Sequence, residues 1–264
     1  MAAEDLKDIR FGGIKRLYGN QQTQILFESH VCVIGIGGVG SWVAEALART
    51  GIGQITLIDM DDICATNVNR QIHALTDTVG DLKIEAMQER IKQINPHCKV
   101  NLVDDFISPD NLRAYIDASF DYVVDAIDSV KAKSALIAYC KRNKIPIITT
   151  GGAGGQTDPT QITVADVAKT VQDPLMSKVR STLRRDFNFS KNPKRKFGVD
   201  CVYSTEQLVY PTSDGQVCQQ KPDSEGPMRL DCSGGFGAVT MVTASFAFVA
   251  AARVVNKLIA KKMP

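Results

Sequence analysis

Short apolar runs alternate with amphipathic stretches along the first 150 residues of the chain. Apolar runs that end at polar residues or glycines predict strands, and apolar positions repeating every three or four residues predict helices. The predicted strands span 30–34, 54–59, 99–104, 122–125 and 146–150. The predicted helices between them span 39–50, 81–95, 109–116 and 129–143. This alternation predicts an α/β, Rossmann-like fold, a mainly parallel sheet with helices on both faces.

The pattern changes after a glycine-rich segment at residues 151–155. A polar, strongly basic stretch follows to about residue 196, then short strands, then an apolar C-terminal helix. We therefore expect one domain over residues 1–264 with a basic insert. Its predicted parts are an N-terminal helical arm, a nucleotide-binding core, a substrate-binding insert and a C-terminal core helix, at 1–30, 31–155, 156–230 and 231–264.

The apolar C-terminal segment 234–255 is long enough to span a bilayer, and its one charged residue is Arg253. Its Gly, Ala, Ser and Thr residues lower its hydrophobicity and allow close helix packing. We therefore expect a buried core helix, and membrane association is not expected.

Composition is that of a soluble globular protein, with 44% hydrophobic and 23% charged residues among 264. The formal net charge of +2 excludes a polycation. None of the seven cysteines forms a Cys-x-x-Cys pair, which argues against a zinc knuckle. The first ten residues carry acidic side chains and no apolar signal segment. A reduced, cytoplasmic setting fits these features.

Residues 35–40 read Gly-Ile-Gly-Gly-Val-Gly, directly after a predicted strand and at the start of a predicted helix. Glycines at such a position allow a tight turn and let phosphates approach the helix N-terminus, where free N–H groups favour anions. Asp59 ends the second strand, at a spacing suited to binding ribose hydroxyls. We predict a nucleotide site whose loop residues are Gly35, Gly37, Gly38 and Gly40.

Further polar residues favour ATP over a dinucleotide. Asn67, Arg70 and Lys83 supply one amide and two cations soon after Asp59. Asp128 and Ser129 follow the 122–125 strand, at the edge of the sheet where ligands bind in this architecture. A triphosphate with magnesium needs cations on its phosphates and a hard oxygen ligand for the metal.

These residues resemble the adenylation signature of the ThiF, MoeB and ubiquitin-activating superfamily. The matching segments read Asp-Met-Asp-Asp at 59–62, Asn-Val-Asn-Arg-Gln at 67–71, and Asp-Ala-Ile-Asp-Ser at 125–129. The resemblance implies that Asp59 holds the ribose, that Asn67, Arg70 and Lys83 hold the phosphates, and that Asp128 holds Mg²⁺. Arg70, Lys83 and Asp128 are then the predicted catalytic residues, and a homodimer is implied.

The chain departs from the usual superfamily pattern in two places. It lacks the paired Cys-x-x-Cys zinc motifs, and Gly13 stands where relatives have an arginine that reaches the partner's ATP. Whether Arg10 or Arg16 replaces that arginine is left open. The zinc-free middle, the basic insert and the Asp-Cys-Ser-Gly turn at 231–234 most resemble the tRNA threonylcarbamoyladenosine dehydratase branch.

Membership of that branch implies a reaction. A carboxylate is ionised at neutral pH and attacks the α-phosphate of ATP without a general base. In this branch the carboxylate is the threonyl group of threonylcarbamoyladenosine in the anticodon region of tRNA. The acyl-adenylate then cyclises internally and releases AMP, so that ATP drives the net loss of water.

Three other functions stay open at this stage. A sulfur-carrier activator would use the same ATP residues to adenylate the C-terminal glycine of a small ubiquitin-like protein. An NAD-dependent oxidoreductase would leave Arg70, Lys83 and Asp128 without a role, and a catalytically silent scaffold would share the fold. Sulfur-transfer or redox proteins are further possible partners. No DNA binding is expected.

Cys232 is the best candidate for a thiolate nucleophile, because it lies beside a predicted glycine turn and helix start. Internal cyclisation needs no thiol, so we expect Cys232 to be a packed residue and keep catalysis as the alternative.

The basic insert is the predicted tRNA-binding region. Between residues 178 and 196 there are eight Lys and Arg residues against one acid, which concentrates positive charge in a chain that is nearly neutral overall. Phe187, Phe189 and Phe197 are interleaved with these charges and are candidates for stacking on unpaired bases. The predicted tRNA-binding residues are Arg184, Arg185, Lys191, Lys194, Arg195 and Lys196.

Overall fold

A computed structural model describes residues 3–212, 214–219 and 236–262. Its main sheet has seven strands in the order β3-β2-β1-β4-β5-β7-β6. The strands are β1 His30–Ile34, β2 Gln54–Ile58, β3 Lys99–Val103, β4 Tyr122–Asp125, β5 Ile147–Thr150, β6 Ile162–Asp166 and β7 Asp200–Ser204. All neighbouring strands pair in parallel except β6, which runs antiparallel to β7. The order of β1–β5 is that of a Rossmann-like fold, as predicted.

Eight α-helices surround the sheet in the described residues. They are α1 Ala3–Tyr18, α2 Asn20–Phe27, α3 Gly40–Arg49, α4 Lys83–Ile94, α5 Leu112–Tyr115, α6 Val130–Arg142, α7 Pro174–Asp186 and α8 Thr240–Lys262. A small hairpin joins β8 Tyr210–Pro211 and β9 Val217–Cys218. The elements predicted up to residue 150 are all present, and their ends differ by a few residues at most.

The sheet has an apolar core on each face because successive side chains of a strand point to opposite faces. In β1, Val31 and Val33 pack with α3, α4 and α8, whereas Cys32 and Ile34 pack with α5, α6 and α7. Both faces of β1 are therefore buried, which explains why its sequence is continuously apolar rather than alternating.

The basic stretch contains a helix that the sequence analysis did not identify. Helix α7 spans 13 residues, and its side chains at Leu175, Val179 and Leu183 are buried against the second core. Asp173 accepts a hydrogen bond from the Met176 N–H at 2.9 Å and caps the helix N-terminus. This helix fixes the first half of the basic insert on the body of the domain.

The C-terminal helix α8 has the packing expected of a core helix. Its segment Thr240–Lys261 is long and apolar enough to cross a membrane, yet 56% of the most apolar window is buried within the protein. Val242, Phe246 and Val254 are fully buried against α3 and the sheet. Length and composition are therefore weak support for a membrane span here.

Candidate nucleotide-binding cleft

A cleft of about 1390 Å³ opens at the carboxyl edge of the sheet. Its walls come from the loops after β1, β2, β3, β4 and β5. The order of strands reverses between β1 and β4, and crevices at such a switch point are where Rossmann-like sheets bind ligands. Nine of the ten residues predicted to bind ATP line this cleft; the exception is Gly40.

The glycine loop connects β1 to α3. Gly35 has φ +83°, and a Cβ there would lie 2.9 Å from the Ala126 carbonyl oxygen, so only glycine fits without strain. Gly40 is buried at the start of α3, where a Cβ would collide with the Gly35 carbonyl oxygen. Gly40 therefore permits close packing beneath the loop, and Gly37 and Gly38 face the cleft.

Asp59 fixes the glycine loop to the end of β2. Its Oδ2 accepts a hydrogen bond from the Ile36 N–H at 2.6 Å, and its Oδ1 accepts one from the Asp61 N–H at 2.9 Å. The carboxylate is thus held in one orientation at the cleft wall, where a ribose hydroxyl could donate to its remaining lone pairs.

Lys83 is the first residue of α4, and only 6% of it is exposed. Its ammonium donates to Asp61 Oδ2 at 2.6 Å and lies 3.9 Å from Asp59 Oδ1. Asp61 itself is largely exposed, with 66% of its side chain open to solvent. The lysine is therefore an oriented cation whose carboxylate partner can turn away when an anionic ligand enters.

Asn67 and Arg70 lie on a single turn of 3₁₀ helix, Ala65–Asn67, and just after it. The Asn67 side-chain oxygen accepts the Cys64 N–H at 3.0 Å, which fixes this buried amide. The Arg70 guanidinium donates to the Thr66 carbonyl at 2.9 Å and to Asn69 Oδ1 at 3.0 Å. Both cleft-lining side chains are thus held by their own loop.

Asp128 and Ser129 join β4 to α6 at the cleft. The Ser129 hydroxyl caps α6 by accepting the Ala132 N–H. The Asp128 side chain is exposed, and within the described parts of the chain its carboxylate accepts no hydrogen bond. Asp128, the residue predicted to bind the metal, therefore has a carboxylate with free ligand positions.

A buried ion pair beneath this loop was not predicted from the sequence. Lys133 Nζ lies 2.8 Å from Asp125 Oδ2, and both side chains are fully buried. The Thr149 hydroxyl donates to the same oxygen at 2.6 Å, and the Ile127 N–H donates to Asp125 Oδ1 at 3.1 Å. This network ties β4, β5 and α6 to the backbone just before Asp128.

Asp173 was also missed, although an Asp-Pro pair before an amphipathic run is a helix-start signal. Its Oδ2 accepts the Gly152 N–H at 3.0 Å, so it joins the glycine-rich segment after β5 to α7. Burial raises the pKa of Asp173, and hydrogen bonds from the backbone N–H groups of Met176 and Gly152 partly oppose that rise. The basic helix is therefore anchored directly at the cleft wall.

The predicted tRNA-binding residues divide into two groups. Lys191, Lys194, Arg195 and Lys196 are exposed on the loop after α7. Arg185 is also exposed but forms two hydrogen bonds with Asp186, at 2.7 and 2.9 Å. Arg184 is half-buried and packs its guanidinium 5.5 Å from the Phe197 ring centroid. The unneutralised charge therefore lies mainly between residues 191 and 196.

The suggestion that three phenylalanines stack on RNA bases is wrong for Phe197. That side chain is 6% exposed and meets Phe189 edge to face, with 4.9 Å between ring centroids. Phe187 and Phe189 are partly buried against the second core. These rings anchor the basic loop to the domain, because removing their apolar surface from water stabilises the folded loop.

The candidate thiolate nucleophile, Cys232, lies outside the described residues. A further aromatic side chain, Phe106, lines the cleft from the loop after β3 with 58% of its surface exposed, and the sequence analysis did not single it out. Asn111 donates to the Phe106 carbonyl at 2.7 Å and fixes the backbone beside this ring.

Arg10 and Arg16 do not line the cleft of their own chain. Arg10 donates to the carbonyls of Gln93 and Ile94 at the end of α4, and Arg16 is exposed on α1.

The sheet order, glycine loop, oriented carboxylate and adjacent cations define a Rossmann-like nucleotide-binding protein. Comparison with protein families makes this more specific, because the ThiF family model matches residues 13–264. The chain belongs to the ThiF family.

Individual relatives extend this result. The chain is 64% identical over 252 residues to the tRNA threonylcarbamoyladenosine dehydratase of Escherichia coli (strain K12), covering 96% of this chain and 94% of that protein. The enzyme of the same name from Haemophilus influenzae is 59% identical over 262 residues, covering 99% and 98%. A crystal structure of the E. coli dehydratase in complex with ATP has a TM-score of 0.87, at 58% identity, over 99% of this chain and 98% of that chain.

Proposed function

We propose that this protein is an ATP-dependent tRNA threonylcarbamoyladenosine dehydratase. The observation that carries the proposal is the 64% identity to the E. coli enzyme of that name, over nearly the whole of both chains. The cleft supports it, because the residues required for ATP binding converge at one edge of the sheet. The sulfur-carrier alternative is not favoured, since it predicts neither this relationship nor a chain without zinc motifs.

ATP lies across the switch point with its triphosphate over the glycine loop. Gly35, Gly37 and Gly38 leave room for phosphate oxygens near the start of α3, where the helix dipole favours negative charge. Asp59 binds the ribose, and Asn67, Arg70 and Lys83 bind the phosphates. Gly40 acts from below by letting the helix approach the loop. Lys83 exchanges its contact with Asp61 for a phosphate oxygen.

Magnesium fits the donors present at the cleft. Mg²⁺ usually binds through one or two carboxylates plus substrate phosphates and waters, and the free Asp128 carboxylate supplies that kind of ligand. A group of three or more His, Cys, Asp or Glu side chains suited to a metal is not found in the described residues, and Mg²⁺ does not require one. When bound, the metal would neutralise charge on the triphosphate. Asp128 would hold it, with Ser129 beside it as the cap of α6.

The chemistry needs alignment and charge stabilisation rather than a general base. The threonyl carboxylate is already ionised, so it attacks the α-phosphate directly and displaces pyrophosphate. Arg70 and Lys83 stabilise the negative charge that moves onto the leaving group. Attack on the acyl-adenylate from within the same modified base closes the ring and releases AMP. Internal ring closure requires no thiol, so Cys232 has no assigned role.

The tRNA substrate approaches from the side of the basic insert. Asp173 joins the N-terminus of α7 to the glycine-rich segment at the cleft, and the 13 residues of α7, roughly 20 Å of helix, lead from there to the exposed cations that follow its C-terminus. Lys191, Lys194, Arg195 and Lys196 carry the exposed charge, with smaller contributions from Arg184 and Arg185. These residues bind the backbone of the anticodon region.

The protein acts as a cytoplasmic homodimer built from one domain per chain. Exposed apolar side chains support a dimer: Val68 is 66% exposed, Met241 is 60% exposed and Phe248 is 48% exposed. The loop that carries Val68 contacts the start of α8, because the Thr240 hydroxyl donates to the Asn69 carbonyl at 2.6 Å. Met241 and Phe248 are seven residues apart on α8 and so share one side of that helix, which we propose as the contact with a second copy.

Measurement of AMP formation tests the proposed substrate. The protein is incubated with ATP and magnesium together with either tRNA that carries threonylcarbamoyladenosine or a small sulfur-carrier protein. We expect AMP release only with the modified tRNA, and unmodified tRNA transcript serves as the matched control. AMP release with the carrier protein alone would contradict the proposal.

A further inference from the structure

Three arginines converge on a second cavity, away from the nucleotide cleft. The cavity has a volume of about 430 Å³. It lies where α1 meets the C-terminal ends of α3 and α4. Its lining residues are Arg10, Phe11, Arg49, Arg90, Gln93 and Ile94.

Glu45 orients two of these arginines. Its carboxylate is 4% exposed and accepts hydrogen bonds from Arg49 Nε at 2.7 Å and from Arg90 Nε at 2.6 Å. Arg90 Nη2 adds a third contact at 3.3 Å. Because the two guanidinium groups are already held in place, a ligand that binds their other donors loses less side-chain entropy on binding.

The third arginine is held by backbone carbonyls. Arg10 Nη1 donates to Ile94 at 3.1 Å and to Gln93 at 3.4 Å, at the end of α4. Within the described residues, both Nη groups of Arg49, Nη1 of Arg90 and Nη2 of Arg10 have no acceptor. The three arginines that line the cavity therefore share one buried carboxylate and a helix terminus, and several of their N–H donors have no acceptor within the described residues.

We propose that this cavity, defined by Arg10, Arg49 and Arg90, is an oxyanion site for a phosphate group. Guanidinium groups present planar pairs of donors that match phosphate oxygens, and one bound phosphate would satisfy donors from all three arginines. The phosphate is either free in solution or part of an RNA backbone. The RNA possibility rests on the proposed function, whereas the free-phosphate possibility does not.

The cavity is separate from the ATP cleft. Helix α3 begins at Gly40 beneath the glycine loop and ends at Arg49 beside the cavity. Its ten residues rise about 1.5 Å each, so roughly 15 Å of helix separates the two places. The same is true of α4, which begins at Lys83 and ends at Ile94. An anion in the cavity therefore does not compete with ATP for the same donors.

Calorimetric titration with inorganic phosphate tests whether the cavity binds free phosphate. The nucleotide cleft is first filled with a non-hydrolysable ATP analogue, so that phosphate cannot bind there. We expect Arg49→Gln to weaken phosphate binding by about tenfold or more, the effect of losing a charge-assisted contact. Arg49→Lys keeps the positive charge but removes the paired guanidinium donors, so phosphate binding should weaken less than in Arg49→Gln. Arg113→Gln on α5 removes an equal charge elsewhere and should change nothing.

The salt dependence of tRNA binding tests whether the cavity binds a phosphate of the RNA backbone. If the phosphate belongs to RNA, Arg49→Gln lowers the slope of log affinity against log salt by about one, and Arg113→Gln leaves it unchanged. If the phosphate is free, the slope stays constant while calorimetric phosphate binding is lost. An unaltered phosphate affinity together with an unaltered slope overturns the site.

Two measurements distinguish the phosphate site from a dimer contact and from the proposed function. Sedimentation of each variant is compared with wild type, because a change in oligomeric state would show that Arg49 contacts a second copy and would overturn the phosphate site. AMP formation with modified tRNA reports on the proposed function independently. Loss of phosphate binding in Arg49→Gln, in a protein that never forms AMP, would uphold the cavity and reject the dehydratase assignment.

Discussion

The Lys133 ammonium lies 2.8 Å from Asp125 Oδ2 at a position where both side chains are fully buried. Asp125 ends β4 shortly before Asp128, and the Thr149 hydroxyl forms hydrogen bonds with both partners of the pair. Burying two charges costs several kcal/mol each, so the pair is maintained only while both partners and their hydrogen bonds are present. It therefore positions the β4–α6 loop although neither Asp125 nor Lys133 lines the cleft.

Loss of one partner of this pair should destabilise the fold strongly. We expect Lys133→Met to lower the free energy of unfolding by about 3–5 kcal/mol, because the Asp125 charge is left buried without compensation. Urea denaturation measures the change. Lys131→Met on the same helix alters an exposed lysine and should stay within about 0.5 kcal/mol of wild type. Equal stability of the two variants would contradict this role.

Lys83→Ala should slow adenylation with little loss of fold. A preorganised cation that meets developing charge typically contributes about 10²–10³ in rate. We therefore expect that reduction in AMP formation at saturating ATP. Lys92→Ala, on the exposed part of the same helix, is the matched control and should retain wild-type activity. AMP formation at the wild-type rate in Lys83→Ala would remove this lysine from the phosphate site.

Asp128→Asn should change the response to magnesium. The substitution removes the charge of the proposed metal ligand while keeping its size, so more Mg²⁺ is needed to reach half-maximal AMP formation. We expect a rate decrease comparable to that of Lys83→Ala at low magnesium, with partial recovery at high magnesium. Asp110→Asn, a nearby cleft-lining carboxylate in the loop after β3, is the control. A magnesium response identical to wild type would assign the metal to another group.

The exposed cations after α7 should contribute to tRNA affinity. Replacing Lys194, Arg195 and Lys196 by Ala should weaken tRNA binding and flatten its salt slope by up to about three, fewer if some of them do not touch phosphate. ATP affinity should not change, because none of the three lines the cleft. The matched control is a triple alanine variant of Lys99, Lys257 and Lys261, which are exposed elsewhere. Equal tRNA affinity in both triple variants would reject the basic insert as the RNA-binding region.

Much of the fold could be predicted from residues 1–150, because strands buried on both faces are continuously apolar, and because Gly51 and Pro96 mark the ends of α3 and α4. Helix α7 carries a usable signal in Leu175, Val179 and Leu183, spaced four residues apart. The surrounding charges conceal it, since net charge dominates the pattern of that stretch. The antiparallel direction of β6 depends on long-range pairing with β7, which local sequence does not encode.

The residues that line the cleft were easier to predict from the sequence than the buried residues that hold them in place. Asp59 and Asp128 follow strand ends, and parallel strands bring their carboxyl ends to one edge, so sequence position alone places them together. Lys133 is different, because a lysine in a helix with many lysines gives no sign of being buried. Its partner Asp125 belongs to a recognisable motif, but only the structure reveals their contact. The Glu45–Arg90 contact likewise joins residues that are 45 positions apart in sequence.

The mass of the modified nucleoside shows whether this protein is a dehydratase. Transfer RNA carrying threonylcarbamoyladenosine is incubated with the protein, ATP and magnesium, digested to nucleosides and analysed by mass spectrometry. The account predicts that the threonylcarbamoyladenosine nucleoside loses the mass of one water, that one AMP forms for each nucleoside converted, and that omission of ATP abolishes both. An unchanged nucleoside mass, with active ATP-binding protein present, would contradict the assignment as a dehydratase.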